Sequence, residues 1–136
     1  MKSLQIILLI CFIGLSLSVS GDEVVNCAQN KVGCPYVYGG SGPDQFDCSG
    51  LAFYCHNGEI PRVSYDQFAG GNDASGDSGD LAFFNTDGSG ASHTAICLGG
   101  GNMIHAENPS TGVHYDDYTG NTYYATRLLG FKRYAD

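Results

Sequence analysis

Apolar positions recur along the chain with two different periods. Over Asp22–Lys31 the apolar residues Val24, Val25 and Ala28, continued by Val32, follow a helical spacing, and Gly33 and Pro35 end the run. Residues 36–46, YVYGGSGPDQF, form a glycine-rich turn region. A second short helix is expected over Asp47–His56, stopped by Asn57-Gly58. Residues 57–80 are loop-rich, and GGNDASGDSGD (70–80) is polar without periodicity. From Leu81 the pattern changes to short strands: 81–84, 93–98, 102–106, 112–115 and the tail 123–134. Helices first and strands afterwards predict an α+β fold, with the N-terminal helices packed on a central antiparallel β-sheet of about five strands.

The first twenty residues stand apart. Lys2 precedes an apolar run from Leu4 to Leu17, followed by Ser18-Val19-Ser20. This pattern predicts a signal peptide cut near Ser20–Gly21 and a secreted product, extracellular or in a lumenal digestive compartment. The domain is then 21–136. The apolar run is shorter than a membrane span of about 20 residues needs. Loss of Lys2 takes the net charge from −8 to −9. So acidic a chain is not expected to bind nucleic acid through phosphate neutralisation, and it offers no basic patch for an anionic membrane.

Six cysteines include Cys11, which would leave with the leader. Five remain: Cys27, Cys34, Cys48, Cys55 and Cys97. An odd count leaves at least one thiol free. No Cys-x-x-Cys pair supports a metal or redox site. Cys55–Cys97 is a geometric possibility for a bridge, but free buried thiols, packed as small hydrophobes, are the expectation for the cysteines other than Cys48.

Cys48 opens the second helix, where backbone N–H groups and the helix dipole favour a thiolate; a nearby imidazolium would lower its pKa further. Gly50 is expected to clear space for substrate. A nucleophilic cysteine needs a histidine base and a group that orients it. His93 and His105 flank Gly99-Gly100-Gly101. If all three glycines form the loop, Leu98 faces Asn102 and His105 lies opposite Ala95, which puts His93 and His105 on one face as diagonal neighbours. His93, Ala95 and Cys97 would then share the face packed on the Cys48 helix. His56 and His114 are expected on exposed surfaces, outside the site.

In order, GCPYVYGG (33–40), FDCSGLAFY (46–54), IPRVSYDQ (60–67), GDLAFF (79–84), HTAICLGGGNMIHA (93–106) and RLLGFKRY (127–134) resemble the motifs of the NlpC-type (NlpC and p-sixty) papain-like cysteine peptidases. The resemblance implies Cys48 as nucleophile, His93 as general base and His105 as its orienter. It implies Tyr36 as an oxyanion donor beside the Cys48 N–H. Asp47 and Ser49 would hold the free amine of an N-terminal L-alanine, with Arg62 and Ser64 lining the same cleft. Tyr38 stands where the family often has tryptophan, and Val63 where threonine is common. The implied substrate is the peptidoglycan stem peptide, cut at the γ-D-glutamyl–diamino acid bond by a monomer that needs no metal or organic cofactor. The rival readings are a wall-peptide binding module without turnover, a disulfide-stapled effector with Cys48 bridged, and a related papain-like amidase or acyltransferase.

Overall fold

The computed structural model describes residues 18–136; most of the expected leader, residues 1–17, lies outside the described residues. Helix α1 (Gly21–Asn30) begins with a capping box. The Ser20 hydroxyl accepts from the Glu23 N–H at 3.1 Å, and the Glu23 carboxylate accepts from the Ser20 N–H at 2.9 Å. Asp22 and Glu23 complement the positive end of the helix. The boundary drawn from the sequence between Ser20 and Gly21 runs through this cap. Val19 is also engaged, its carbonyl accepting from the Asp136 N–H at 2.9 Å.

Helix α2 (Cys48–Cys55) is capped by Asp47, which accepts from the Gly50 N–H at 2.7 Å. Its Leu51, Ala52 and Cys55 are buried. Cys55 is bonded to Cys27 of α1, which corrects the expectation of free thiols and of a Cys55–Cys97 approach. Among the described residues, Cys34, Cys48 and Cys97 remain free. A third helix, α3 (Ser64–Ala69), lies inside the segment read as loop. Its cap position is Val63, whose side chain makes no capping bond, so the usual sequence signal for a start is missing.

The strands are β1 (Asn72–Asp73), β2 (Leu81–Phe84), β3 (His93–Gly99), β4 (Asn102–Ala106), β5 (Val113–Asp117) and β6 (Leu128–Arg133). They form one antiparallel sheet in the order β1-β6-β2-β3-β4-β5. The architecture is the expected α+β, with a short sixth strand at one edge. The tail is not strand throughout: a helical turn, α4 (Thr122–Ala125), capped by the Asn121 side chain, precedes β6.

Helices α1 and α2 cover one face of the sheet, where Val24, Ala28, Leu51 and Ala52 meet Leu81, Phe83, Ile96 and Ile104. The opposite face carries Ala82, Phe84, Ala95, Cys97 and Met103 under Tyr118 and Tyr124. The helices therefore pack on the Thr94/Ile96 side of β3, not on the Ala95/Cys97 side as expected. The small side chains of Ala95 and Cys97 make room for aromatic rings instead.

His56 caps the end of α2 and is buried, not solvent-facing as expected. Its Nδ1–H donates to the Ala52 carbonyl at 2.8 Å, while Nε2 is buried without a partner among the described residues. Burial lowers its pKa, so the folded chain holds it neutral. The unfolded chain takes up that proton near pH 6.5. The stability His56 contributes is thus complete above pH 6.5 and is lost as pH falls below it, at up to about 1.4 kcal/mol per pH unit for one proton. Melting temperatures between pH 7 and pH 5 should fall less steeply for His56→Leu than for the wild type; parallel slopes would contradict this.

Candidate active site

The glycine-rich segment after α1 folds back on itself. The Val37 N–H donates to the Phe46 carbonyl at 3.0 Å, and the Phe46 N–H donates to the Pro35 carbonyl at 3.1 Å. This brings Tyr36 beside Asp47 and Cys48. A Cβ on Gly50 would lie 1.9 Å from the Gly40 carbonyl oxygen. Glycine is needed there so that the turn can close on the helix, and not, as expected, to admit substrate.

Tyr36, Tyr38, Asp47, Cys48, Ser49, Arg62, Val63 and Ser64 line one open cleft of about 620 Å³. A larger hollow of about 840 Å³ lies between α1 and the end of α2, but its cysteines are the bridged Cys27 and Cys55, whereas the smaller cleft carries the free Cys48. Arg62 organises the cleft floor. Nη1 donates to Asp47 Oδ1 at 3.1 Å and to Ser49 Oγ at 2.9 Å; Nη2 donates to Asp47 Oδ2 at 3.0 Å and to the Gly40 carbonyl at 3.2 Å. Asp47 also accepts from the Gly39 and Gly50 N–H groups. Its lone pairs are thus engaged in capping α2 and fixing Arg62.

Buried Gln67 ties the start of α2 to the start of β3. Its Nε2 donates to the Ser49 carbonyl at 3.1 Å, and its Oε1 accepts from Thr94 Oγ1 at 3.0 Å. The Thr94 backbone N–H reaches the Cys48 sulfur, together with the N–H groups of Cys48 and Ser49. Cys48 is thus tied to Thr94 of β3, the residue that follows His93, while His93 itself lines a separate opening with Thr86, Glu107, Asn108, Tyr123 and Tyr124.

Residues Ile96 and Ile104, and Cys97 and Met103, pair in β3 and β4 in the expected register. Gly99, not Leu98, faces Asn102, because the turn is shorter and a bulge supplies the extra residue. The parity survives, and His93 Nε2 lies 2.7 Å from His105 Nδ1. His105 Nε2 lies 3.0 Å from Asp116 Oδ2 on β5. Stacking on Tyr124 steadies the His93 ring, with centroids 5.8 Å apart.

This chain fixes the tautomers. Burial pulls Asp116 upward, but the donors Asp117 N–H, His105 and Asn121 outweigh it and hold its carboxyl below the usual range. As a carboxylate it only accepts, so His105 presents Nε2–H to it. Burial lowers the pKa of His105, which is neutral and offers the lone pair of Nδ1. His93 must donate Nε2–H to that lone pair, and its own Nδ1 is left bare as a base. Burial, with the neighbouring His105, pushes the pKa of His93 down to about 3. For Cys48, burial dominates the three N–H donors, and the thiol is pushed up rather than down as expected. The resting pair is neutral thiol and neutral imidazole. Burial, with Cys48 and Asp47 nearby, likewise raises the Tyr36 pKa, which keeps the phenol as an O–H donor.

Residues 33–133 match the model of the NlpC/P60 family. The chain belongs to the NlpC/P60 family. It is 39% identical over 107 residues to a probable endopeptidase of Corynebacterium glutamicum, covering 73% of this chain and 50% of that protein. It spans, then, about half the length of that curated relative. Among solved structures, an NlpC/P60 family protein of Bacillus cereus superposes with a TM-score of 0.78 at 31% identity, covering 88% of this chain and 41% of that one. The NlpC/p60 domain of the peptidoglycan hydrolase SagA superposes with a TM-score of 0.72 at 33% identity, covering 85% of this chain and 99% of that one.

Three residues of this NlpC/P60 site escaped the sequence reading. Asp116 and Gln67 depend on strand register and helix packing. His114, expected on an exposed face, stacks on His105 with centroids 5.1 Å apart and lies 2.8 Å from Glu107. The neutral resting pair has a measurable consequence. Alkylation of Cys48 by iodoacetamide, resolved by peptide mass spectrometry from Cys34 and Cys97, should be slow at pH 5–7 and climb through pH 9. A rate already at its plateau at pH 5 would contradict it.

Proposed function

We propose that this NlpC/P60 chain is a secreted cysteine endopeptidase that hydrolyses peptidoglycan stem peptides at the γ-D-glutamyl–diamino acid bond. The observation that carries the reading is a free cysteine, Cys48, at a helix start lining an open cleft, tied to Thr94 next to the first member of the His93–His105–Asp116 relay. The name of the C. glutamicum relative supports an endopeptidase, and that of SagA supports peptidoglycan as the substrate class. The His93 Nδ1 takes the thiol proton as Cys48 Sγ attacks the amide carbonyl. The Cys48 backbone N–H and the Tyr36 hydroxyl stabilise the oxyanion. Collapse transfers the proton from His93 to the leaving amine and forms a thioester. Water, deprotonated by His93, then attacks the thioester and releases the acid and the free thiol.

Asp47, Ser49, Arg62 and Ser64 line the side of the cleft where the substrate's free amine is held in this reading. Because Asp47 is already engaged by Arg62, its contact with the amine is an exchange among existing partners. The experiment is digestion of a defined stem tetrapeptide with a free L-alanine amine, and of the same peptide attached to muramic acid, with products identified by mass spectrometry. The free peptide is expected to give alanyl-γ-glutamate and a diamino acid–D-alanine dipeptide. Release of the intact stem peptide from muramic acid would instead make the enzyme an amidase.

A further inference from the structure

The relay residues His105 and Asp116 belong to a cluster whose other two members, Glu107 and His114, the reaction above does not use. His105 and Glu107 are two residues apart on and just beyond β4, and His114 and Asp116 are two apart on β5. His105 and His114 face each other directly in the register. With side chains alternating along each strand, all four project to one side. One ligand atom from each lies within 4.8 Å of every other. Two of the pairs are already close: His105 Nε2–Asp116 Oδ2 at 3.0 Å and His114 Nε2–Glu107 Oε1 at 2.8 Å. Tetrahedral zinc, with bonds of roughly 2.0–2.2 Å to nitrogen and oxygen, sets its ligand atoms about 3.3–3.5 Å apart. The cluster needs a small contraction and no rebuilding.

We propose that His105, Glu107, His114 and Asp116 form a Zn²⁺ site whose occupation switches the histidine relay into its inactive tautomer. Two imidazoles and two carboxylates suit zinc, whereas calcium and magnesium prefer oxygen alone. The two carboxylates balance the charge of the ion. The outer contacts are those of a metal site as well. The Tyr124 hydroxyl donates to the second oxygen of Glu107 at 2.6 Å, and the non-ligating nitrogen of His105 is held by His93. β5 is an edge strand, and His114, Glu107 and Asp116 are partly exposed, which gives the ion an entry path.

The switch follows from proton positions. Zinc takes the Nε2 lone pair of His105, so the proton of that ring must sit on Nδ1. His105 then donates to His93 Nε2 instead of accepting from it. The proton of His93 moves to Nδ1, the atom that served as the base. The Nε2 proton of His105 leaves to solvent, the shared proton crosses from His93 to His105, and His93 gains one from solvent at Nδ1. No net charge changes on either ring. The loss of activity rests on the peptidase reading; the binding and the tautomer change do not.

The test uses the Cys48→Ala chain, which removes the cleft thiol as a competing ligand. Zinc binding is measured by titration calorimetry, and histidine tautomers by ¹⁵N NMR with and without Zn²⁺. One Zn²⁺ per chain is expected, weakened at least about 10-fold by adding His114→Gln. The His93 proton signal should move from Nε2 to Nδ1 on binding. With Cys48 intact, Zn²⁺ should inhibit turnover, and His114→Gln should need at least about 10-fold more Zn²⁺ for the same fractional inhibition, each protein being scaled to its own metal-free rate. The proposal is overturned if Zn²⁺ does not bind, if His114→Gln binds it equally, or if binding leaves the His93 tautomer in place.

Discussion

Asp116→Asn is expected to lower kcat/KM by about 10²–10⁴-fold, the range in which a positioned base and its tautomer act, with little change in melting temperature. The two side chains have the same shape. In the wild type, Asp116 Oδ1 accepts from the Asp117 N–H at 2.8 Å and faces Asn121 Nδ2 at 3.4 Å. The carboxamide oxygen of the variant can keep those contacts, which leaves its NH₂ facing His105. An NH₂ group cannot accept from His105 Nε2–H, so that nitrogen must become the acceptor. The proton then moves to His105 Nδ1, and the relay ends with a proton on His93 Nδ1. The loss should fall mainly on kcat, because Asp116 is a positioning residue that lines no part of the cleft. A variant within threefold of wild type would show that the relay does not set the tautomer of His93.

Removal of the Cys27–Cys55 bridge is expected to have the largest effect on stability. The cysteines are 28 residues apart in sequence. Closing a loop of that length lowers the entropy of the unfolded chain enough to stabilise the fold by about 3–4 kcal/mol. For a domain of this size that corresponds to a fall in melting temperature of roughly 10–15 °C. Cys27→Ala/Cys55→Ala should therefore melt well below wild type, and a reductant should destabilise only the wild type. A native thiol count of three among residues 18–136, rising to five after reduction, is the accompanying expectation. Equal melting temperatures with and without reductant would contradict it.

The pairing of His93 with His105 was legible because strand parity is a property of single residues. A hairpin of fixed parity puts alternate residues on one face whatever surrounds it. The reading survived an error in the loop, because the bulge near Gly99 restored the count that a shorter turn removed. The face turned toward the helices was misread because it depends on what covers the other side, and Tyr118 and Tyr124 come from far along the chain. Asp116 and His114 were out of reach for the same reason. Their placement depends on the register of β5, which is set by the turn at residues 107–112 rather than by any pattern in β5 itself. The Cys27–Cys55 bridge depends on how two helices cross. Helix spacing alone says nothing of that, so the cysteine count could require only one free thiol. The Cys48 pKa was misjudged in a related way: the helix-start donors are visible in the sequence, and the burial that outweighs them is not.

The most direct test of the central claim is to incubate stem peptides freed from purified peptidoglycan by an amidase with the wild-type chain and with Cys48→Ala, each checked for folding, and to follow the release of shorter peptides by mass spectrometry. Wild type is expected to release peptide fragments steadily, and Cys48→Ala to release none above the enzyme-free control. Equal release by the two proteins, or none by the wild type, would contradict the account.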